Sequence, residues 1–466
     1  MTGRPQKMVE NSFPSRKTLH RRGMWMRVGF FISILVLLTI GVLASWQIAH
    51  AAPVIFVRTD GHDTMCDGTA DAGYPGSGGP YACAKLTVQA GVDAVDPGGT
   101  VAVWEGIFGA GITIAKSLTL QGAGALQTII DGGGTTPGLD IGVGTTVDVY
   151  DLTIQNAVNT VYGGGIRNQG TLWLAECIIQ DNYAPGGGGL FSNHSTTLLS
   201  NFFQGNSSLL GGGIYVNGPL VMEDVIIRDN HVSGDNARGG GLYLDSAPGE
   251  WAIIRNSTIS DNTAENIAGE FYGGGGGLYL WGDETVILAN VTIQGNWSDW
   301  PGGGVFSLGP GGAYFLNSTI AGNLSDYGYG GVLTYSSLTS LTFTNSIVAL
   351  NQGSDCHAWF GAILSDGSNI SSDTSCGFTA SGDMQNTDPL LGPLQDNGGL
   401  TETMALLTGS PAIDAGNNVV CGSSYVADED QRGWKRPIDG DRDGTADCDI
   451  GAYETTVDTY LPMIMR

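Results

Sequence analysis

Two groups of residues in this sequence have types and spacings suited to chemistry. In "DGDRDGTADCD" the carboxylates Asp439, Asp441 and Asp443 alternate, Gly444 follows, and Asp447 and Asp449 end the run. Alternating carboxylates with Gly at the sixth position make up the first half of a calcium-binding loop. The twelfth position is Ile450 instead of Glu, so bidentate closure is missing, and an acidic turn without a metal is the competing reading. The second group is aromatic: Phe191, Tyr215, Tyr243, Tyr279 and Phe306 recur at one position of a repeat. Rings in a row stack well on the apolar faces of sugars. The alternatives are that they pack on one another or are covered by a loop or by the C-terminal part of the chain.

Catalysis finds less support. Uronate lyases need Lys or Arg, often with Ca²⁺ held by acids. Between residues 117 and 431 there is no Lys, and the only Arg are Arg167, Arg228, Arg238 and Arg255. Hydrolases need two carboxylates at a set separation. Asp245, Glu250, Glu265, Glu270, Asp283 and Glu284 are available, but none stands in a diagnostic motif, so no catalytic residue is assigned.

What must position these residues is a repeat. The last Gly before an aliphatic residue falls at Gly165, Gly189, Gly213, Gly241, Gly277, Gly304 and Gly331, and an Asn recurs in step at Asn182, Asn206, Asn230, Asn262, Asn296, Asn323 and Asn351. Such a period means a solenoid, a propeller or a linear array. After each Gly the residues alternate. Ile166, Leu190 and Ile214 begin an inward column, Arg167, Phe191 and Tyr215 an outward one, and Asn168, Ser192 and Val216 a second inward one. That is a strand period. Three residues before each Asn stands Ile179, Phe203, Ile227, Ile259, Ile293, Ile320 or Val348, a further inward strand position. Strand repeats without helices stack as a parallel β-helix with coils about 4.8 Å apart. Gly, and after it Asn, suits positive-φ corners, and stacked Asn amides can bond along the axis.

Two coils are longer than the rest, and their extra residues, 231–239 and 263–273, read as loops where a site is best placed. Cys177 falls in an inward column and reads as a buried core thiol. Upstream, residues 83–95 suggest a short amphipathic capping helix.

Residues 100–134 resemble the opening coils of pectate-lyase-type right-handed parallel β-helices. The coils from about 150 to 351 resemble the repeats of polymorphic outer-membrane adhesins; "FFQGN" matches their Phe-x-x-Asn motif, while Gly replaces Ala in the other. "DPLLGPLQDNGGLTETMALLTGSPAIDAGNN" (388–418) and "DQRGWKRPIDGDRDGTADCDIGAYE" (430–454) resemble the choice-of-anchor Q module of exported β-helix proteins.

Seven basic residues precede "VGFFISILVLLTIGVLASW" and "AHA" at 49–51. This reads as a secretory signal peptide, with an uncleaved membrane anchor as the alternative. The whole chain has a net charge of −26, and without that basic lead it is more acidic still, which argues against nucleic acid or anionic lipid as a partner. Export favours disulfides, and six of the seven Cys fall into local pairs: Cys66 with Cys83, Cys356 with Cys376, Cys421 with Cys448.

The expectation is therefore an all-β, right-handed, single-stranded parallel β-helix, monomeric and secreted or held at the cell surface. Its parts are a signal peptide or anchor (1–51), a cap with a short helix and first strand (52–110), the solenoid (111–385), a small C-terminal module (386–454) and a tail (455–466). Binding of a polysaccharide or surface glycan, with Ca²⁺ as a possible cofactor, is the expected role. A polysaccharide lyase or glycoside hydrolase is the alternative.

Overall fold

The computed structural model describes residues 53–267 and 273–456. The N-terminal segment, Glu270 and the tail beyond 456 lie outside the described residues.

Every coil is written the same way. One runs through strands Ile166–Asn168, Thr171–Ala175 and Ile178–Gln180. Each strand pairs in parallel with the same strand of the next coil: Ile166 with Leu190, Leu172 with Thr196, Ile178 with Phe202. The result is three long sheets, of 12, 10 and 11 strands, around one continuous apolar core. We call them the first, second and third sheets. The expected inward columns all point into this core, Cys177 among them. Burial pushes the Cys177 thiol up to about 12, which leaves it without thiolate reactivity at neutral pH. Helix Val88–Ala94 closes the N-terminal end, with Thr87 as its N-cap. Among the described residues no helix is long and apolar enough to cross a membrane.

The asparagines stack as expected. The amide Nδ2 of Asn206 donates to Oδ1 of Asn230, Asn230 to Asn262, Asn262 to Asn296 and Asn296 to Asn323, each at 2.9–3.0 Å. Each backbone N–H in the ladder donates to the same oxygen. Asn does take positive-φ corners at Asn256, Asn290, Asn317 and Asn345 (φ 46–56°), but for the ladder Asn the expectation is corrected. That conformation belongs to the residue just before it: Asp181, Asp229 and Asp261 (φ 53–55°), or Gly205, Gly295 and Gly322. The triple glycines divide their work as well. Gly211 opens its coil at φ 62°, whereas Gly212 and Gly213 are needed for space. A Cβ on them would lie 2.3 and 2.8 Å from carbonyl oxygens of the next coil, closer than a carbon can approach.

The two longer coils are not plain loops. His231–Gly234 and Thr263–Asn266 are strands of a fourth, five-stranded sheet, because their backbones continue the ladder that shorter coils make with two residues.

The C-terminal segment folds back along the outside of the third sheet. The buried Gln431 side chain donates to Thr258 and Thr401 and accepts from Thr292. A Cβ on Gly451 would meet Ile347 and Thr319 under 3 Å away, so glycine lets the segment lie flat on the strands. Arg432 pairs with Asp430, both almost wholly buried. Disulfides join Cys66 to Cys83, Cys356 to Cys376 and Cys421 to Cys448.

Candidate functional site

The second sheet turns its outer face away from the core, and the five predicted rings lie there in register: Phe191, Tyr215, Tyr243, Tyr279 and Phe306 on successive coils. Neighbouring ring centroids are 4.7–5.3 Å apart. They do not form an open ribbon, which corrects the expectation of exposed ring faces. All five are buried, with Tyr279 at 0% exposure and even Phe191 at 9%. The cause is local. On one side, the residues preceding the glycine triplets form a flanking column through Gly186, Leu210, Arg238 and Gly274. On the other, the chain leaving each strand adds a second outward position, four residues after the last Gly. The central rings are sealed between these columns and form a separate apolar cluster with Leu333.

The second outward column is the part of the face that meets solvent, and the sequence reading passed over it. It runs Gln169, Asn193, Asn217, Asp245, Trp281, Leu308, Tyr335 and Trp359, every member at least partly exposed. Its backbone stays in parallel register, as in Asn217 N–H to Ser192 O and Trp281 N–H to Leu244 O.

Asp245 is the polar centre of this face. The Tyr215 hydroxyl donates to its carboxylate at 3.2 Å, and Tyr243 and Arg238 also interact with it. Burial still pushes the Asp245 carboxyl above its usual range, against those partners. The Arg238 guanidinium lies 4.5 Å from the centroid of Trp281 and 5.6 Å from that of Tyr279, and it comes from the inserted segment 231–239. Beneath, Glu284 is 2% exposed. Its Oε2 accepts the Ser246 N–H at 3.2 Å, while its Oε1 finds no partner among the described residues. Burial, with Asp245 and Asp283 nearby, pushes Glu284 up to about 7. Asp283 stands exposed beside it. Of the acids singled out from sequence, the structure brings Asp245, Asp283 and Glu284 together. Glu265 lies elsewhere, beside His231.

At the C-terminal end of the column the rings open outward. Trp359 and Phe360 are 38% and 55% exposed, and both pack edge-on against Tyr335 at 5.2–5.5 Å.

The acidic loop folds differently from the spacing-based expectation. Asp439 and Asp441 come together with Asp414, each offering an oxygen within 4.8 Å of the others. Asp443 accepts the Thr445 N–H instead, and Asp447 accepts from the Asn418 amide. Asp449 is wholly buried and accepts the N–H groups of Asp414 and Thr455. The wrap of an EF-hand loop is thus not formed, because Ile450 is drawn into an apolar cluster with Ile347 and Ile370 and takes its neighbour Asp449 with it. Oδ1 of Asp414 and Oδ1 of Asp439 are buried without partners among the described residues. Burial, and the charges of Asp441 and Asp439, push Asp414 up. Three oxygens so placed suit a hard divalent cation.

The family model described as "right handed beta helix region" matches residues 128–275. No curated protein sequence matches the chain. Among solved structures, a crystal structure of a pectate lyase superposes with a TM-score of 0.49 at 14% identity, covering 86% of this chain and 96% of that one. The A-module of a mannuronan C-5 epimerase from Azotobacter vinelandii superposes with a TM-score of 0.36 at 16% identity, covering 64% and 90%. Its in-register parallel coils and the family-model match over residues 128–275 make the chain a right-handed parallel β-helix repeat protein.

Proposed function

We propose that this is an exported or cell-surface protein that binds carbohydrate, without turning it over, on the outer face of its second sheet. The observation that carries this reading is the second outward column. It combines amides, a carboxylate held by tyrosines, and partly exposed indole and phenol rings, the mixture that recognises sugar hydroxyls and sugar ring faces. Three disulfides suit an oxidising compartment. Uronate elimination has little support in the arginines: Arg167 on this face is paired with Asp140, and Arg228 with Glu402 and Arg255 with Glu223 lie on the other sheets.

Hydrolysis is the second reading, favoured by one observation: Glu284, pushed up to about 7 by burial, lies near a second carboxyl, Asp245, and glycoside hydrolysis uses a carboxyl kept protonated near neutral pH beside another carboxylate. Incubating the protein with neutral and uronate-containing glycans and measuring new reducing or unsaturated ends tests both. The expected result is retention without cleavage. Reproducible cleavage lost in Glu284→Gln removes the binding-only reading.

Ca²⁺ belongs to this proposal as a structural ion held by Asp414, Asp439 and Asp441. At ten times its dissociation constant it would add about 1.4 kcal/mol, seen as a higher Tm in Ca²⁺ than in EDTA. The difference should vanish in Asp441→Asn. Equal Tm values in both buffers at millimolar Ca²⁺ would rule the ion out.

A further inference from the structure

The ligand's chemistry follows from the charges around the face, and the argument rests on the carbohydrate-binding reading above. We infer that the face is built for an extended, uncharged glycan lying along the solenoid axis, and that it discriminates against uronates.

Position by position, the second outward column changes character along the axis. Asn193, Asn217 and Asp245 offer hydrogen-bonding groups on three successive coils. Trp281, Tyr335 and Trp359 then offer ring surface, with Leu308 between the first two. Coils stack at about 4.8 Å, close to the length of one pyranose in an extended chain. A polysaccharide laid along the column therefore meets a new side chain at about each sugar. Its hydroxyl edges face amides and a carboxylate at one end, and its C–H faces meet rings at the other. Asp245 is suited to the first task because its partners hold it in place: the Tyr215 hydroxyl at 3.2 Å, with Tyr243 and Arg238 beside it.

The charges facing this surface come from every flank. Asp140 and Arg167 pair with each other at 3.3 Å. Arg238 lies against Trp281 and next to Asp245. Asp245, Asp283 and Glu284 add negative charge, the exposed His194 follows Asn193 of the column, and His357 closes the far end stacked on Tyr329 at 4.2 Å. Burial lowers His357, favouring its neutral form. Each uronate residue would bring a carboxylate to a surface whose two guanidiniums already face Asp140 and Asp245. Like charges brought together without a cation weaken binding and slow encounter, and the net charge of −26 adds a repulsive field at longer range.

The test measures binding of the full chain to matched pairs that differ only in charge, galactan against polygalacturonate and mannan against mannuronan. Calorimetry is run at one low ionic strength, without divalent ions, on wild type and on Trp281→Ala, Trp359→Ala and Asp245→Asn. The expected result is at least tenfold tighter binding of the neutral member in at least one pair. Trp281→Ala should weaken it fivefold or more in protein still fully folded at the assay temperature, although loss of the ring that covers Tyr279 lowers Tm. Asp245→Asn should narrow the gap between the two members. Equal or tighter binding of the uronate, still sensitive to Trp281→Ala, overturns the neutral-glycan inference and leaves the binding face standing. Binding of no glycan, or binding indifferent to both Trp variants, overturns the face itself and the inference with it.

Discussion

Asn262→Leu is expected to lower the stability of the solenoid by about 2–6 kcal/mol, because each of the two buried polar groups left without a partner costs about 1–3 kcal/mol. Asn262 is wholly buried. Its Oδ1 accepts both the backbone N–H and the side-chain amide of Asn230, at 3.0 and 2.9 Å. Its Nδ2 donates to Ile227 O and to Asn296 Oδ1, both at 2.9 Å. Leucine keeps the volume and removes all four contacts, stranding the Asn230 N–H and the Ile227 carbonyl in a place water does not reach, while Asn296 Oδ1 keeps the backbone N–H of residue 262. The ladder also has a direction. Every amide donates toward the C-terminal end, and the last oxygen in the series belongs to Asp355, whose Oδ1 accepts the N–H and Nδ2 of Asn351. A carboxylate fits there because its neighbours, Ser372 included, are donors. At position 262 it does not fit: Asn262→Asp would set an acceptor-only group against Asn296 Oδ1, and should be at least as damaging as Leu at pH 7. Urea unfolding measures both. A loss under 1 kcal/mol for Asn262→Leu would show that the ladder is a by-product of stacking.

How much of this was readable in the sequence depends on which direction a residue faces. Inward and corner positions repeat the same environment in every coil, so Ile179, Phe203 and Ile227, or Asn206 and Asn230, stand out as columns by residue type alone. The position four after each last Gly escapes such reading. Its occupants range from Gln169 and Asp245 to Tyr335, because an outward site on a flank puts no common demand on size or polarity. Burial of the aromatic column was hidden for a related reason. Alternation correctly sends Tyr243 and Tyr279 away from the core, but their covering neighbours, Arg238 and Trp281, belong to other columns. Arg238 moreover rides on an insertion whose strand pairing depends on the coil beside it. In the acidic loop, spacing identified Asp439 and Asp441, while their partner Asp414 lies a fold-back away and carries no local signal. Gln431 and Gly451 likewise gain their meaning only against Thr258, Thr292 and Thr319 of the third sheet.

Glu284→Gln is expected to stabilise the protein at pH 8 by about 3 kcal/mol, taking about 1.4 kcal/mol for each pH unit by which the folded-state carboxyl is raised, and to leave it nearly unchanged at pH 4. Glu284 is 2% exposed, and burial pushes its carboxyl from the ordinary 4.5 up to about 7. A raised carboxyl means that, between those values, the folded state holds a proton the unfolded chain has released. The contribution is therefore fully favourable below about 4.5, shrinks as pH rises toward 7, and stays at its least favourable level above. Glutamine imitates the protonated acid at every pH. Its oxygen can keep the Ser246 N–H, and no carboxylate has to enter a site where Oε1 lacks a partner. The comparison should thus show two stability curves that meet near pH 4 and diverge up to pH 7, with the wild type below. The Asp414, Asp449 and Glu454 carboxyls are raised as well, but they are shared by both proteins and cancel in the difference. Parallel curves would mean that Glu284 ionises freely and that the site reorganises to hydrate it. A wild type more stable than Glu284→Gln at pH 8 would mean that the carboxylate itself is wanted there, as it would be if a cation or a sugar hydroxyl normally met its open oxygen.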